Sequence, residues 1–122
     1  MSAVGKAIIL FGHGSRDPLW RQPIEAVAAR LAQREPAIPV RCAYMELEQP
    51  DLAAAARELV AAGATGVTIV PMFLGTGKHA RTDMPAQVDG LRAAHPGVRF
   101  ELQRAVGEDP RLLDLLAAIA LE

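Results

Sequence analysis

The side chains whose types and spacing invite chemistry in this 122-residue chain are His13, Glu46 and His79. Thirty-three positions separate His13 from Glu46, and the same number separates Glu46 from His79. Two imidazoles and a carboxylate suit a borderline divalent ion such as Co²⁺, Fe²⁺, Ni²⁺ or Zn²⁺. Three protein ligands leave coordination positions open for reaction, whereas a closed structural site takes a fourth. Both group types also accept protons, and a histidine needs only a small shift to do so near neutral pH. Taken singly, each residue is ordinary: a turn histidine between Gly12 and Gly14, a solvated strand-end carboxylate, an exposed loop histidine. Their equal spacing, one strand-plus-helix unit each time, argues that one geometric position is used three times.

The elements that must place them read as follows. Residues 7–11 are apolar and β-prone, and they run into the polar, glycine-flanked loop Gly12-His13-Gly14-Ser15-Arg16-Asp17. Between 19 and 34, Ile24, Val27, Ala28 and Leu31 form one helical stripe. A second strand over 40–45 ends at Glu46, and Pro50-Asp51 opens a helix with Leu52, Ala55, Ala56, Leu59 and Val60 on one face and Gly63 closing it. Residues 67–74 form a third, central strand with Pro71 near its end, followed by a loop over 75–81 that carries His79. Thr82 or Asp83 then caps a third helix with Pro85 in its first turn and Met84, Val88 and Leu91 on one face. Val98, Phe100 and Leu102 alternate with polar residues as in an edge strand, and Asp109-Pro110 starts a last helix. Four strand–helix alternations without a hairpin signal mean an α/β fold: a four-stranded parallel, flavodoxin-like sheet in the order 2-1-3-4 with helices on both faces. Ligands of such sheets bind beyond the carboxyl ends of the strands at the switch point, here between strands one and three.

The length and a 51% hydrophobic content describe a single domain over 1–122. A formal charge of -1 gives no electrostatic case for nucleic acid or an anionic membrane. The lone Cys42 lies in an apolar run and reads as core, which agrees with a reducing, cytoplasmic setting. The amino-terminal apolar run stops at Gly12, too short for a signal peptide or a membrane span. Competing motifs fail. Asp17 stands where a dinucleotide fingerprint needs its third glycine, and Gly75-Thr76-Gly77-Lys78 lacks the upstream glycine of a P-loop. No Gly-x-Ser-x-Gly elbow surrounds Ser15, which instead caps the turn or the helix start.

Three blocks in this order, Gly12-His13-Gly14-Ser15-Arg16, Tyr44-Met45-Glu46-Leu47-Glu48-Gln49-Pro50, and Val70 to Leu74 leading to Gly77-Lys78-His79 and Asp83-Met84-Pro85, resemble the CbiX-type sirohydrochlorin chelatases. The resemblance extends to Val106-Gly107-Glu108-Asp109-Pro110. It implies a chelatase-like fold and a lyase that inserts a divalent metal into sirohydrochlorin, cobalt on the cobalamin route or iron on the sirohaem route, with no ATP and no organic cofactor. It carries His13, Glu46 and His79 over as the residues that hold the metal and accept protons, with Glu48 ranked behind Glu46. It also implies the short, single-domain form, in which a homodimer restores the two-lobed cleft of the larger members.

A polycarboxylate macrocycle of that kind asks for cations at the cleft rim and an apolar wall. Arg16, Lys78 and Arg81 share the loops of the histidines and are assigned to the tetrapyrrole carboxylates, with Arg104 after strand four at the same edge. Trp20, Phe73, Leu74 and Met84 are nominated for the wall. The competing reading is a non-catalytic carrier of the same fold that holds a metal or tetrapyrrole for handover. Turnover separates the two, because a carrier saturates at one equivalent per site.

Overall fold

The computed structural model describes residues 5–122; the first part of the amino-terminal stretch weighed above for a leader lies outside them. The chain runs β1 (Lys6–Gly12), α1 (Gln22–Arg34), β2 (Val40–Tyr44), α2 (Leu52–Ala61), β3 (Gly66–Pro71), α3 (Lys78–Ala94), β4 (Arg99–Leu102) and α4 (Pro110–Ala120). The sheet is wholly parallel in the order β2-β1-β3-β4. β3 is therefore interior and β4 an edge, as its alternating sequence requires. Pro71 pairs with Phe11 at the last step of the β1–β3 ladder, where its missing N–H costs little.

Each turn of the chain has a local cause. The Asp51 carboxylate accepts from the Ala54 N–H at 2.8 Å and caps α2. At the other end Gly63, at φ +107, allows a Schellman closure in which the N–H groups of Gly63 and Ala64 donate to Val60 and Leu59. Ile9, Phe11, Val67 and Ile69 pack against Leu52, Ala55, Ala56 and Leu59 of α2 and Met84, Val88 and Leu91 of α3. Leu10 and Tyr44, on the opposite face, meet Ile24 of α1, with Cys42 half-buried beside them. Alanines on α2 let the helix approach the sheet closely, so this small core closes with few aromatics.

Expectations about two elements need correction. Strand three ends at Pro71, not Leu74, because its pairing with β1 stops at Phe11. The third helix does not start near Thr82 but at Lys78, with Gly77 in extended backbone as its N-cap, and Pro85 lies inside the helix. Ala80 is the reason. It extends the buried stripe Met84–Val88–Leu91 one turn toward the amino end, and that packing outweighs the backbone bond that Pro85 cannot donate. His79 consequently stands in the first turn of a helix and not in a loop. The last helix forms as expected, yet none of its residues is buried: Leu112 is partly covered, and Leu113, Leu115 and Leu116 are exposed.

The Tyr44 hydroxyl is fully enclosed and has no hydrogen-bond partner among the described residues, and burial, with Cys42 and Glu25 adding to it, pushes its pKa up to about 12. An unpaired buried hydroxyl costs about 1–3 kcal/mol. Tyr44→Phe is therefore expected to leave the thermal midpoint unchanged or raise it. A loss above about 1 kcal/mol in denaturant unfolding would show that the hydroxyl is satisfied in solution.

Candidate metal site at the sheet edge

The carboxyl ends of β1 and β2 do not stop pairing where the strands end. The Met45 N–H donates to the Gly12 carbonyl at 2.9 Å, and the Glu46 N–H donates to the His13 carbonyl at 3.1 Å. This extra step of ladder fixes the backbones of His13 and Glu46 side by side, and it needs a close approach. Gly14 sits at φ +94, and a Cβ there would lie 1.8 Å from the Glu46 carbonyl oxygen. Of the two glycines flanking His13, only Gly14 is required by the geometry; a Cβ on Gly12 would meet nothing nearer than a flexible Ile24 methyl at 3.4 Å.

The His13 ring is half-buried and stacks on Phe73, with centroids 4.1 Å apart and planes 28° from parallel. Phe73 is 2% exposed and leans in turn on Phe11, so the imidazole rests on the core. The Glu46 side chain is exposed. Glu48, its rival in sequence, is committed elsewhere: its carboxylate accepts from the Ser15 N–H at 2.8 Å and from Arg21 Nη1 at 3.3 Å. His79 reaches the same edge from α3 and is exposed. Among the described residues, no three His, Cys, Asp or Glu side chains converge closely enough to hold a metal ion. His13 and Glu46 are thus brought together through their backbones, and His79 is not drawn into a closed group with them.

Arg16, Lys78 and Arg81 are exposed, as proposed for a cationic rim, although Arg81 also donates to the Thr76 carbonyl at 3.1 Å. Arg104 is exposed just beyond β4. Of the four wall residues, Phe73 and Met84 are core and do not line an opening. Trp20 and Leu74 do: with Leu19, Pro23, Met72 and the backbone of Gly12 they bound an apolar groove of about 730 Å³ on the α1 side of the edge. Leu19 was missed, because its place just before a helical stripe gave it no distinct signal. Ser15 caps the turn, its Oγ accepting from the Asp17 N–H at 3.1 Å, and Asp17 caps the 3₁₀ turn Pro18–Arg21 that presents Trp20.

Fold and edge together define a flavodoxin-like α/β domain whose loops after β1 and β2 are joined backbone to backbone at His13 and Glu46. Residues 7–122 match the sequence model of the CbiX family, and the chain belongs to that family. It is similar to the sirohydrochlorin cobaltochelatase of Priestia megaterium, with 29% identity over 91% of this chain and 36% of the relative. Among solved structures it is similar to the CbiX protein from Marinobacter aquaeolei VT8, with TM-score 0.81, 34% identity and coverage of 94% of this chain and 93% of that one. It is also similar to the sirohydrochlorin chelatase SirB from Bacillus subtilis subspecies spizizenii in complex with cobalt, with TM-score 0.79 and 26% identity over 93% of this chain and 48% of that one. The chain spans between 36% and 59% of the length of the first curated relatives it matches.

Proposed function

We propose that this protein inserts a divalent metal, Co²⁺ first and Fe²⁺ or Ni²⁺ as alternatives, into a sirohydrochlorin-type tetrapyrrole, in the cytosol and without ATP or an organic cofactor. The reading is carried by the His13–Glu46 backbone pair at the open sheet edge, which offers an imidazole and an exposed carboxylate at neighbouring positions. Family membership and the chelatase names of the relatives support it.

Insertion exchanges two pyrrole protons for one cation, so the site must strip water from the metal, take up protons and then let the metal go. His13 holds the metal from a ring braced on Phe73. Glu46, whose side chain has no hydrogen-bond partner among the described residues, coordinates or relays a proton. His79 supplies the third ligand from the first turn of α3. Which imidazole takes a pyrrole proton is set by the side the macrocycle enters from. Arg16, Lys78 and Arg81 meet its carboxylates, helped by the positive amino end of α3, and Trp20 and Leu74 offer apolar surface beside them. The testing experiment is anaerobic. The chain is mixed with excess sirohydrochlorin and Co²⁺, then Fe²⁺ and Ni²⁺, and the macrocycle absorption is followed. Many turnovers per chain above the protein-free rate are expected; one equivalent per site would make it a carrier, and the protein-free rate would end the enzymatic reading.

The working form is a homodimer. Leu115, Leu116 and Ile119 of α4 are exposed on one face, an apolar stripe with no partner among the described residues. On the α1 side of the sheet, Ile8, Thr68 and Val70 of β1 and β3 border an opening that no helix among the described residues fills. One chain with a helix lacking a partner and a sheet face only partly covered by α1 is a pattern that two copies resolve. Light scattering is expected to give twice the chain mass for the wild type and the chain mass for a Leu116→Lys/Ile119→Lys variant. A monomeric wild type at micromolar concentration would overturn the dimer.

A further inference from the structure

We infer that Glu48 is a positioning residue that fixes the separation of His13 and Glu46. The inference rests on the reading of those two residues as metal ligands. The Glu48 side chain is only 6% exposed, and an enclosed carboxylate persists only when its oxygens are paired. Both are paired. Oε1 accepts from the backbone N–H of Ser15, two residues beyond His13, and Oε2 accepts from Arg21.

Reaching that place requires an unusual backbone. Leu47 is the one non-glycine residue at positive φ among the described residues, at +67, inside a tight turn closed by the Glu48 N–H donating to the Glu46 carbonyl at 2.8 Å. Such a turn is strained for a residue bearing a Cβ, and the Leu47 side chain, 55% exposed, gains little packing to hold it. The turn is held from its far end by Glu48. The two loops are therefore joined on both sides of the proposed ligands: ladder bonds from Met45 to Gly12 and from Glu46 to His13 on one side, the Ser15–Glu48 bond on the other. Arg21 extends the clamp to the 3₁₀ turn that carries Trp20. Of two carboxylates in Glu46-Leu47-Glu48, one faces outward and the other braces it.

The role needs reach more than charge, and this separates it from a simple ion pair. Glu48→Gln keeps a carbonyl oxygen at the same distance for the Ser15 N–H, whereas Glu48→Asp keeps the charge but falls a methylene short. In Co²⁺ titrations of the folded chain read by visible absorption, Glu48→Gln is expected to stay within about threefold of wild type with the same band shape. Glu48→Asp and Glu48→Ala are expected to bind about 10- to 100-fold more weakly with a shifted band, the range found when a residue supporting a metal ligand is lost. If Glu48→Ala does not fold, the order of Gln above Asp decides. Asp equal to or tighter than Gln overturns the positioning role, as does wild-type affinity in Glu48→Asp. His13→Ala is run alongside: wild-type Co²⁺ binding there would defeat the ligand reading itself, while its loss together with an unaffected Glu48→Asp would defeat only the inference about Glu48.

Discussion

Gly14→Ala is expected to disable the proposed metal chemistry and to destabilise the protein, although it adds a single methyl group to an exposed-edge loop. The added Cβ would lie 1.8 Å from the Glu46 carbonyl oxygen and 3.0 Å from its carbonyl carbon. Both are backbone atoms, so no rotamer change can give way. The backbone at φ +94 is itself unfavourable for any L side chain, a further cost of about 1–2 kcal/mol. Relief requires the 13–15 and 46–48 loops to separate, which breaks the Glu46–His13 backbone bond and draws Ser15 away from Glu48. Thermal unfolding should therefore show a loss of several kcal/mol, and Co²⁺ binding should fall below detection in the fraction that folds. Gly75→Ala is the matched control, since a Cβ there meets nothing within 4 Å. Equal metal binding in the two variants would mean that the close approach at Gly14 has no part in the site.

The sheet was legible because each strand carries its own signature. Val67 to Val70 are β-branched and nearly all apolar as an interior strand must be, and Val98, Phe100 and Leu102 alternate as an edge strand must. The 33-residue recurrence of His13, Glu46 and His79 follows from the same regularity, since a parallel sheet returns each strand's end to one edge. The start of α3 was not legible. Gly77 and Lys78 looked like loop, and only the burial of Ala80 against the sheet shows that the helical stripe begins there. Sequence could rank Glu46 above Glu48 but could not show what divides them. Two residues apart in a strand, they would face the same way. What divides them is the turn at Leu47, a non-glycine residue at positive φ that no propensity announces. Phe73 and Met84 show the opposite ambiguity: apolar residues beside a polar loop read equally as ligand wall and as core, and only the packing of α3 assigns them to the core.

The same division between braced and free side chains sets an unequal outcome for the two histidines. His13 is held on three sides, by its stack on Phe73, by its carbonyl's bond to Glu46 and by the Gly14 approach. His79 is exposed in the first turn of α3, without such supports. A ligand already in place loses little side-chain entropy on binding metal, so it carries more of the affinity than one that must be ordered. His13→Ala is accordingly expected to abolish both Co²⁺ binding and metal insertion. His79→Ala is expected to retain weakened Co²⁺ binding through His13 and Glu46 while its insertion rate falls by about 10²–10⁴-fold, the scale of a lost proton acceptor. Calorimetric Co²⁺ titration beside anaerobic turnover measures both quantities. Equal losses of binding in the two variants would mean that the three proposed ligands act as one rigid set, and that bracing on Phe73 gives His13 no precedence. Binding retained in His13→Ala but lost in His79→Ala would reverse the assignment and place the anchor on α3. In the expected case, the tolerance of His79→Ala for metal but not for turnover would identify His79 as the ligand that engages during transfer, with the His13–Glu46 pair as the point where the metal first lands.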